Sequence, residues 1–296
     1  MSASNDVAPS SGISSTGGEG RVLRAFLRNP TAMGGLIVLV FFCFAAATAP
    51  YLYPEDPLSM VATPFLWPGQ DIAFPLGTDS LGRDVAAQLV HGARISLLIG
   101  AIATSIGLAL GVVVGGIAGY CGGRVETMML RLIEIFQTLP SFVLLIVLVA
   151  VLKPSLVTVT LAIGLINWPT IARLTRAEFR SLREHDYVHA ARALGLSHWR
   201  IILRVMMPNA LPPVIVTASM MVASAILMEA ALSFMGLGDP SIVSWGSMIG
   251  DAREFLRSAW YLAAWPGLAV FLAILSINLV GDGLNDAFNP RLNRTR

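Results

Sequence analysis

The chain has 296 residues, 55% of them hydrophobic and only 13% charged, which is about half the charged share of ordinary soluble domains. A net charge of +2, with basic residues scattered between apolar blocks, excludes a nucleic-acid-binding patch. Cys43 in an apolar block and Cys121 beside Gly122 and Gly123 have neither metal-ligand nor redox spacing, so no disulfide or metal site is expected.

Residues 1–20 are rich in Ser, Gly, Ala and Pro and hold too little apolar surface to offset the entropy of ordering them, which predicts a disordered cytoplasmic tail. Arg21 to Arg28 sets Val22, Leu23, Phe26 and Leu27 between three arginines, the pattern of a short amphipathic helix at the membrane surface. A bilayer core takes about 20 apolar residues per helix. By that measure the chain is an all-α membrane protein with six transmembrane helices, near 33–53, 94–119, 128–152, 155–174, 210–232 and 260–281. The resulting organisation is a surface helix and first span over 21–53, an extracytoplasmic loop over 54–93, a five-helix core over 94–283 with a cytoplasmic loop at 175–208, and a cytoplasmic tail over 284–296. A signal peptide is the alternative for the first span, but the apolar run exceeds the usual 7 to 15 residues, and its Ala45 to Ala49 stretch is followed by Pro50.

Basic residues are retained on the cytoplasmic side and so set the orientation. With the amino terminus inside, fifteen arginines fall in cytoplasmic segments, seven of them from Arg173 to Arg204. Only Arg83, Arg94, Lys153, Arg253 and Arg257 fall on the other side, so both termini are expected in the cytoplasm. On the second span Gly107, Gly111, Gly115 and Gly119 recur every four residues and line one stripe, a packing ridge that lets a neighbouring helix approach closely. Glu229 is the one carboxylate well inside a predicted span. It is a candidate for the translocation path, against the alternative of a structural hydrogen bond near the interface.

Within the long cytoplasmic loop, Asp186 to Gly195 reads as one short helix, with Asp186 as N-cap and Gly195 as the left-handed residue that ends it. Tyr187, Ala190, Ala191 and Leu194 fall at i, i+3, i+4 and i+7 and are expected to share a face, shallow in the middle, on which another protein can sit. Arg192 and Arg200 are available beside it for acidic partners.

The run His189-Ala190-Ala191, three residues, Gly195, nine residues, then Val205, one residue, Met207 and Pro208 resembles the EAA loop of ABC-importer permeases, Glu-Ala-Ala-x3-Gly-x9-Ile-x-Leu-Pro. Its spacing is intact. His189 stands where the motif has Glu, which predicts tolerance to substitution there. Leu76 to Asp84 with His91 to Leu98, then Glu229 to Gly238, Ser244-Trp245-Gly246 and Asn278 to Gly283 resemble the C-type subunits of dipeptide and oligopeptide importers.

The resemblance implies a type I ABC-importer permease fold in the cytoplasmic membrane of a prokaryote. It implies a heterodimer with a second homologous permease, two ABC ATPase subunits that bind ATP and Mg, and an extracytoplasmic solute-binding protein. Asp186, Tyr187, His189, Ala190, Ala191, Leu194 and Gly195 would then form the coupling helix that enters a groove of one ATPase. Short peptides are the implied cargo, with nickel chelates or glutathione as alternatives on the same scaffold.

The residues support that division of labour independently. A phosphate-binding P-loop needs Gly-Lys followed by Ser or Thr, whereas the sole lysine, Lys153, lies between Leu152 and Pro154. This chain is thus expected to bind no cofactor and to be no enzyme. His185-Asp186-Tyr187-Val188-His189 echoes a His-Glu-x-x-His zinc site, but arginines surround it and no third ligand is placed. An ion-driven secondary transporter is expected to show two similar halves, and no such repeat is seen.

Overall fold

The computed structural model describes residues 18–288. The expected disordered tail therefore lies outside the described residues up to position 17, as does the end of the carboxy-terminal tail, 289–296. The described residues contain eleven α-helices: α1 (Gly18–Leu27), α2 (Pro30–Leu52), α3 (Val85–Cys121), α4 (Gly123–Gln137), α5 (Ser141–Leu152), α6 (Leu156–Arg183), α7 (Asp186–Ala193), α8 (His198–Arg200), α9 (Met207–Phe234), α10 (Trp245–Ala252) and α11 (Tyr261–Phe288). Among these residues there is no β-strand, only an isolated bridge between Thr78 and Asp84.

Five stretches are long and apolar enough to span a membrane: α2, α3, α6, the continuous run His198–Phe234, and α11. The expected third span is instead the pair α4 and α5, bent by 76°, and six spans result when that pair is counted as one. Pro140 accounts for the break. It supplies no amide proton and, as a proline, drives the preceding residue out of helical geometry.

Side-chain caps fix where the spans begin. Asn29 Oδ1 accepts from the amides of Thr31 and Ala32 ahead of α2, and Ser155 Oγ accepts from Thr158 N at 3.1 Å ahead of α6. Asp84 Oδ1 accepts from Ala86 N at 2.8 Å, so α3 starts nine residues before the position that hydropathy alone suggested. Likewise α6 runs on to Arg183, well into the expected 175–208 loop. Its extension is amphipathic, with Thr175 and Phe179 buried and Arg173 and Arg180 exposed, a pattern that averaged hydropathy misses. Positive φ at Gly122 and Gly123 then reverses the chain from α3 into α4.

The largest buried cluster joins α2, α3, α9, α10 and α11 around Trp245, and a second joins α3, α5, α6 and α9. The surface helix α1 is held on the bundle by Phe26, which packs with Ala32 of α2 and Ala287 of α11.

Candidate coupling site and its connection to the spans

Helix α7 caps the inner ends of the spans. Its N-cap is His185 rather than Asp186, which occupies the first helical turn, and the helix is eight residues long, ending at Ala193. Gly195 does take the left-handed conformation, with φ of +74°. Its amide bonds to Arg192 O at 2.9 Å and that of Leu196 to Ala191 O at 3.2 Å, the paired bonds of a Schellman ending.

The four residues expected on one face divide between two environments. Tyr187 (41% exposed) and Leu194 (81% exposed) face outward with Ala190, whereas Ala191 is 6% exposed and turned into the body of the protein beside Val188. Asp186, His189 and Gly195 are exposed. Val188 and Ala191 pack in one cluster with Tyr120 of α3, Phe179 of α6, and Ile201, Met206 and Ala210 at the start of the fifth span. This helix is therefore bolted to three spans by two side chains and leaves the rest of its surface open.

Beyond α7 the chain forms a π-turn over Ile201–Met206 before α9, with Met207 N bonded to Ile202 O. Pro208 explains it. A proline there has no amide to give, and its ring crowds the carbonyl four residues back, which favours the wider turn.

The glycine stripe of α3 lies against α6. A Cβ placed on Gly111 would stand 2.6 Å from Ile171 Cβ, one on Gly115 2.3 Å from Ala172 O, one on Gly119 2.6 Å from both Arg176 O and Phe179 Cβ, and one on Gly107 3.2 Å from Gly164 O. The backbones are closer than any side chain allows. Gly164 on α6 answers the stripe, since a Cβ there would stand 2.9 Å from Ala103 O of α3, a close approach that no single-helix pattern reveals. Arg176 of α6 also pairs with Glu126 of α4, its Nε donating at 2.7 Å. The inner ends of α3, α4, α6 and α7 thus form one block.

Glu229 lies near the other end of α9, roughly 33 Å along the helix from Met207 at 1.5 Å per residue. It is buried, and its Oε1 accepts from Ser233 Oγ at 2.8 Å and from Ser244 Oγ at 2.6 Å. Ser244 is also the N-cap of α10. The next residue, Trp245, donates from its amide to Ser96 Oγ at 3.2 Å and from Nε1 to Leu89 O at 3.0 Å, both on α3. Gly246 lets α10 press on Ala230, where a Cβ would stand 2.6 Å from the Cα. Asp239, in the same loop, accepts from Leu156 N at the start of α6 at 3.0 Å. Burial pushes the Asp239 carboxyl upward, but hydrogen bonds from Ser241 and Leu156 outweigh it and hold the group below its ordinary value.

The outer loop is equally well tied. Asp79 Oδ1 accepts from the amides of Leu81 and Arg83, Gln88 donates to Asp79 Oδ2 at 3.0 Å, and Tyr261 Oη lies 2.9 Å from the carbonyls of both Leu66 and Thr78. Among the described residues no group of three His, Cys, Asp or Glu side chains is placed to hold a metal ion, and His185 Nδ1 is occupied by Ser181 O at 2.9 Å.

Five unbroken spans and one broken one, locked at the outer end by buried hydrogen bonds and carrying at the inner end a fastened helix with an open face, make this a multi-pass helical membrane protein. The family described as binding-protein-dependent transport system inner membrane component matches residues 111–294, and that described as the N-terminal transmembrane domain of oligopeptide transport permease C matches residues 20–73. The chain is 40% identical over 275 residues to the di/tripeptide transport system permease protein DppC of Pseudomonas aeruginosa, covering 91% of each chain. It is 38% identical over 273 residues to the dipeptide transport system permease protein DppC of Haemophilus influenzae, covering 90% of this chain and 92% of that one.

In fold it is similar to the inward-facing MetNI methionine ABC transporter, with a TM-score of 0.56 and 20% identity over 68% of this chain and 96% of that one. An amino acid ABC transporter gives a TM-score of 0.51 and 18% identity over 70% of this chain and 94% of that one. The chain belongs to the inner-membrane components of binding-protein-dependent transport systems. It is a multi-pass permease of an ABC importer and works with other transporter subunits.

Proposed function

We propose that this permease moves short peptides across the cytoplasmic membrane of a prokaryote, with both termini in the cytoplasm. It would pair with a second homologous permease, receive cargo from an extracytoplasmic solute-binding protein, and be driven by two ABC ATPases that carry the ATP and Mg. The observation that carries the coupling role is the seating of α7, whose Val188 and Ala191 anchor it to α3, α6 and the start of the fifth span while Tyr187, Ala190 and Leu194 stay open. An ATPase groove that takes the open side and moves on ATP binding would displace three spans at once. Interiors pack too densely for the displacement to be absorbed at the joint.

Peptide cargo is supported by the relatives, whose names specify di/tripeptide and dipeptide transport. Glu229 has a structural role in this proposal, as the acceptor that fastens α10. The test of cargo is uptake in cells lacking the gene, offered toxic di-, tri- and pentapeptides beside labelled nickel. Resistance to the peptides with nickel uptake unchanged is the expected result, and loss of nickel uptake alone would overturn the peptide assignment.

A further inference from the structure

Beside α7, at the inner end of α3, lies an open cleft of about 840 Å³ that shares Tyr120 with the seat of α7 and His189 with its exposed side. Tyr120 forms its floor. Its hydroxyl lies 2.5 Å from His198 Nδ1, the guanidinium of Arg192 sits 5.5 Å from its ring centroid, and Arg183 Nη1 donates to its carbonyl at 3.4 Å. Basic side chains from α6, α7 and α8 therefore converge on a single aromatic residue. His189 lines the cleft as well, and the one acid in its wall is Glu184, which accepts from Arg183 Nε at 3.1 Å. Arg192 has no carboxylate within ion-pairing distance among the described residues. Glu184 offsets Arg183, so Arg192 is left as the unpaired cation of the cleft, and the net positive charge suits an anion.

Its rim identifies the kind of anion. Trp199 on the wall is 69% exposed, and Leu203 one turn later is exposed too, with Arg200 and Arg204 beside them. This exposed tryptophan and leucine among arginines, just before the apolar run of the fifth span, give the cleft the mixed aromatic and basic edge that suits a membrane–water interface. Basic pockets between helices at the cytoplasmic side meet a leaflet rich in anionic lipid. A free phosphate would need only the arginines, whereas a lipid also needs the apolar exit that Trp199 provides.

We propose that this cleft binds the phosphate headgroup of an anionic phospholipid of the cytoplasmic leaflet, with Arg183 and Arg192 on the phosphate and the first methylenes against Trp199. The proposal rests on the orientation given above. The bound lipid bridges α3, α6, α7 and α8, and so stiffens the seat of the coupling helix.

The test is native mass spectrometry of the full chain, purified with the subunits that assemble with it and equilibrated with phosphatidylglycerol or phosphatidylcholine of identical acyl chains. Charge-assisted bonds from two arginines predict about tenfold or greater preference for phosphatidylglycerol, lost in Arg183→Gln/Arg192→Gln and reduced in Arg192→Gln alone. Equal retention of the two lipids by the unaltered protein overturns the proposal whether or not any variant folds. An unchanged preference in the double variant overturns it as well. Occupancy by inorganic phosphate without lipid preference assigns the cleft to a soluble anion, and loss of the ATPase from the double variant with lipid preference intact assigns it to a protein partner; either result contradicts the proposal. Lipid retention is read without transport, so its failure is distinct from failure of the peptide assignment.

Discussion

Glu229 and Ser244, fifteen residues apart in sequence, are joined by a buried 2.6 Å hydrogen bond that holds the outer helix α10 against the fifth span. Glu229 Oε1 accepts from both Ser233 and Ser244, while Oε2 is buried without a partner. A glutamine keeps an oxygen for both hydroxyls, so Glu229→Gln should retain peptide uptake and thermal stability. Glu229→Ala strands two buried hydroxyls, at about 1–3 kcal/mol for an unsatisfied buried group, and should lower the Tm of the detergent-purified protein. If Glu229→Gln abolishes uptake of peptides with a free amino terminus and leaves the Tm unchanged, the carboxylate contacts cargo and the structural role is wrong.

Along α3, Gly115→Val should be among the most damaging single changes, because its new Cβ would lie 2.3 Å from Ala172 O in a backbone that cannot yield without parting α3 from α6. Overpacking of this kind costs about 1–3 kcal/mol or more. Gly34→Ala on α2, where a Cβ meets nothing within 4 Å, is the matched control and should be neutral. Yield of folded protein after membrane extraction distinguishes them.

At the end of α7, Gly195 has φ of +74° and open space around its Cβ position, so a substitution there is penalised by backbone conformation alone. A left-handed non-glycine residue costs about 1–2 kcal/mol, least for asparagine. Gly195→Val should therefore impair uptake more than Gly195→Asn, as read by side-by-side transport rates. Equal effects would place the importance of Gly195 in a contact rather than in its φ.

Much of this architecture was legible in the sequence because it is written in local pattern. Apolar runs locate the spans, the four-residue glycine repeat marks the face of α3 that meets α6, and Gly195 ends its helix where its spacing indicated. What escaped depends on residues distant in the chain. Ala190 and Ala191 are chemically identical neighbours, and only packing with Phe179 and Met206 decides that one turns inward and the other outward. The partner of Glu229 lies across a loop, and the answer of Gly164 to the α3 stripe lies on another helix. The break at Pro140 was masked because its flanking apolar residues satisfy the length of one span as well as the two arms of a bent one.

The different placements of Ala190 and Ala191 make the coupling role of α7 directly testable. Ala190→Glu puts a charge on the open face and leaves the anchor intact, whereas Ala191→Glu buries a charge at the joint and should disturb the fold itself. The decisive measurement is peptide uptake by the Ala190→Glu importer in proteoliposomes, beside its ATP hydrolysis and its assembly. Normal assembly with uptake lost or severed from hydrolysis is the predicted result; uptake at the unaltered rate would contradict the assignment of α7 as the helix through which the ATPase drives the spans.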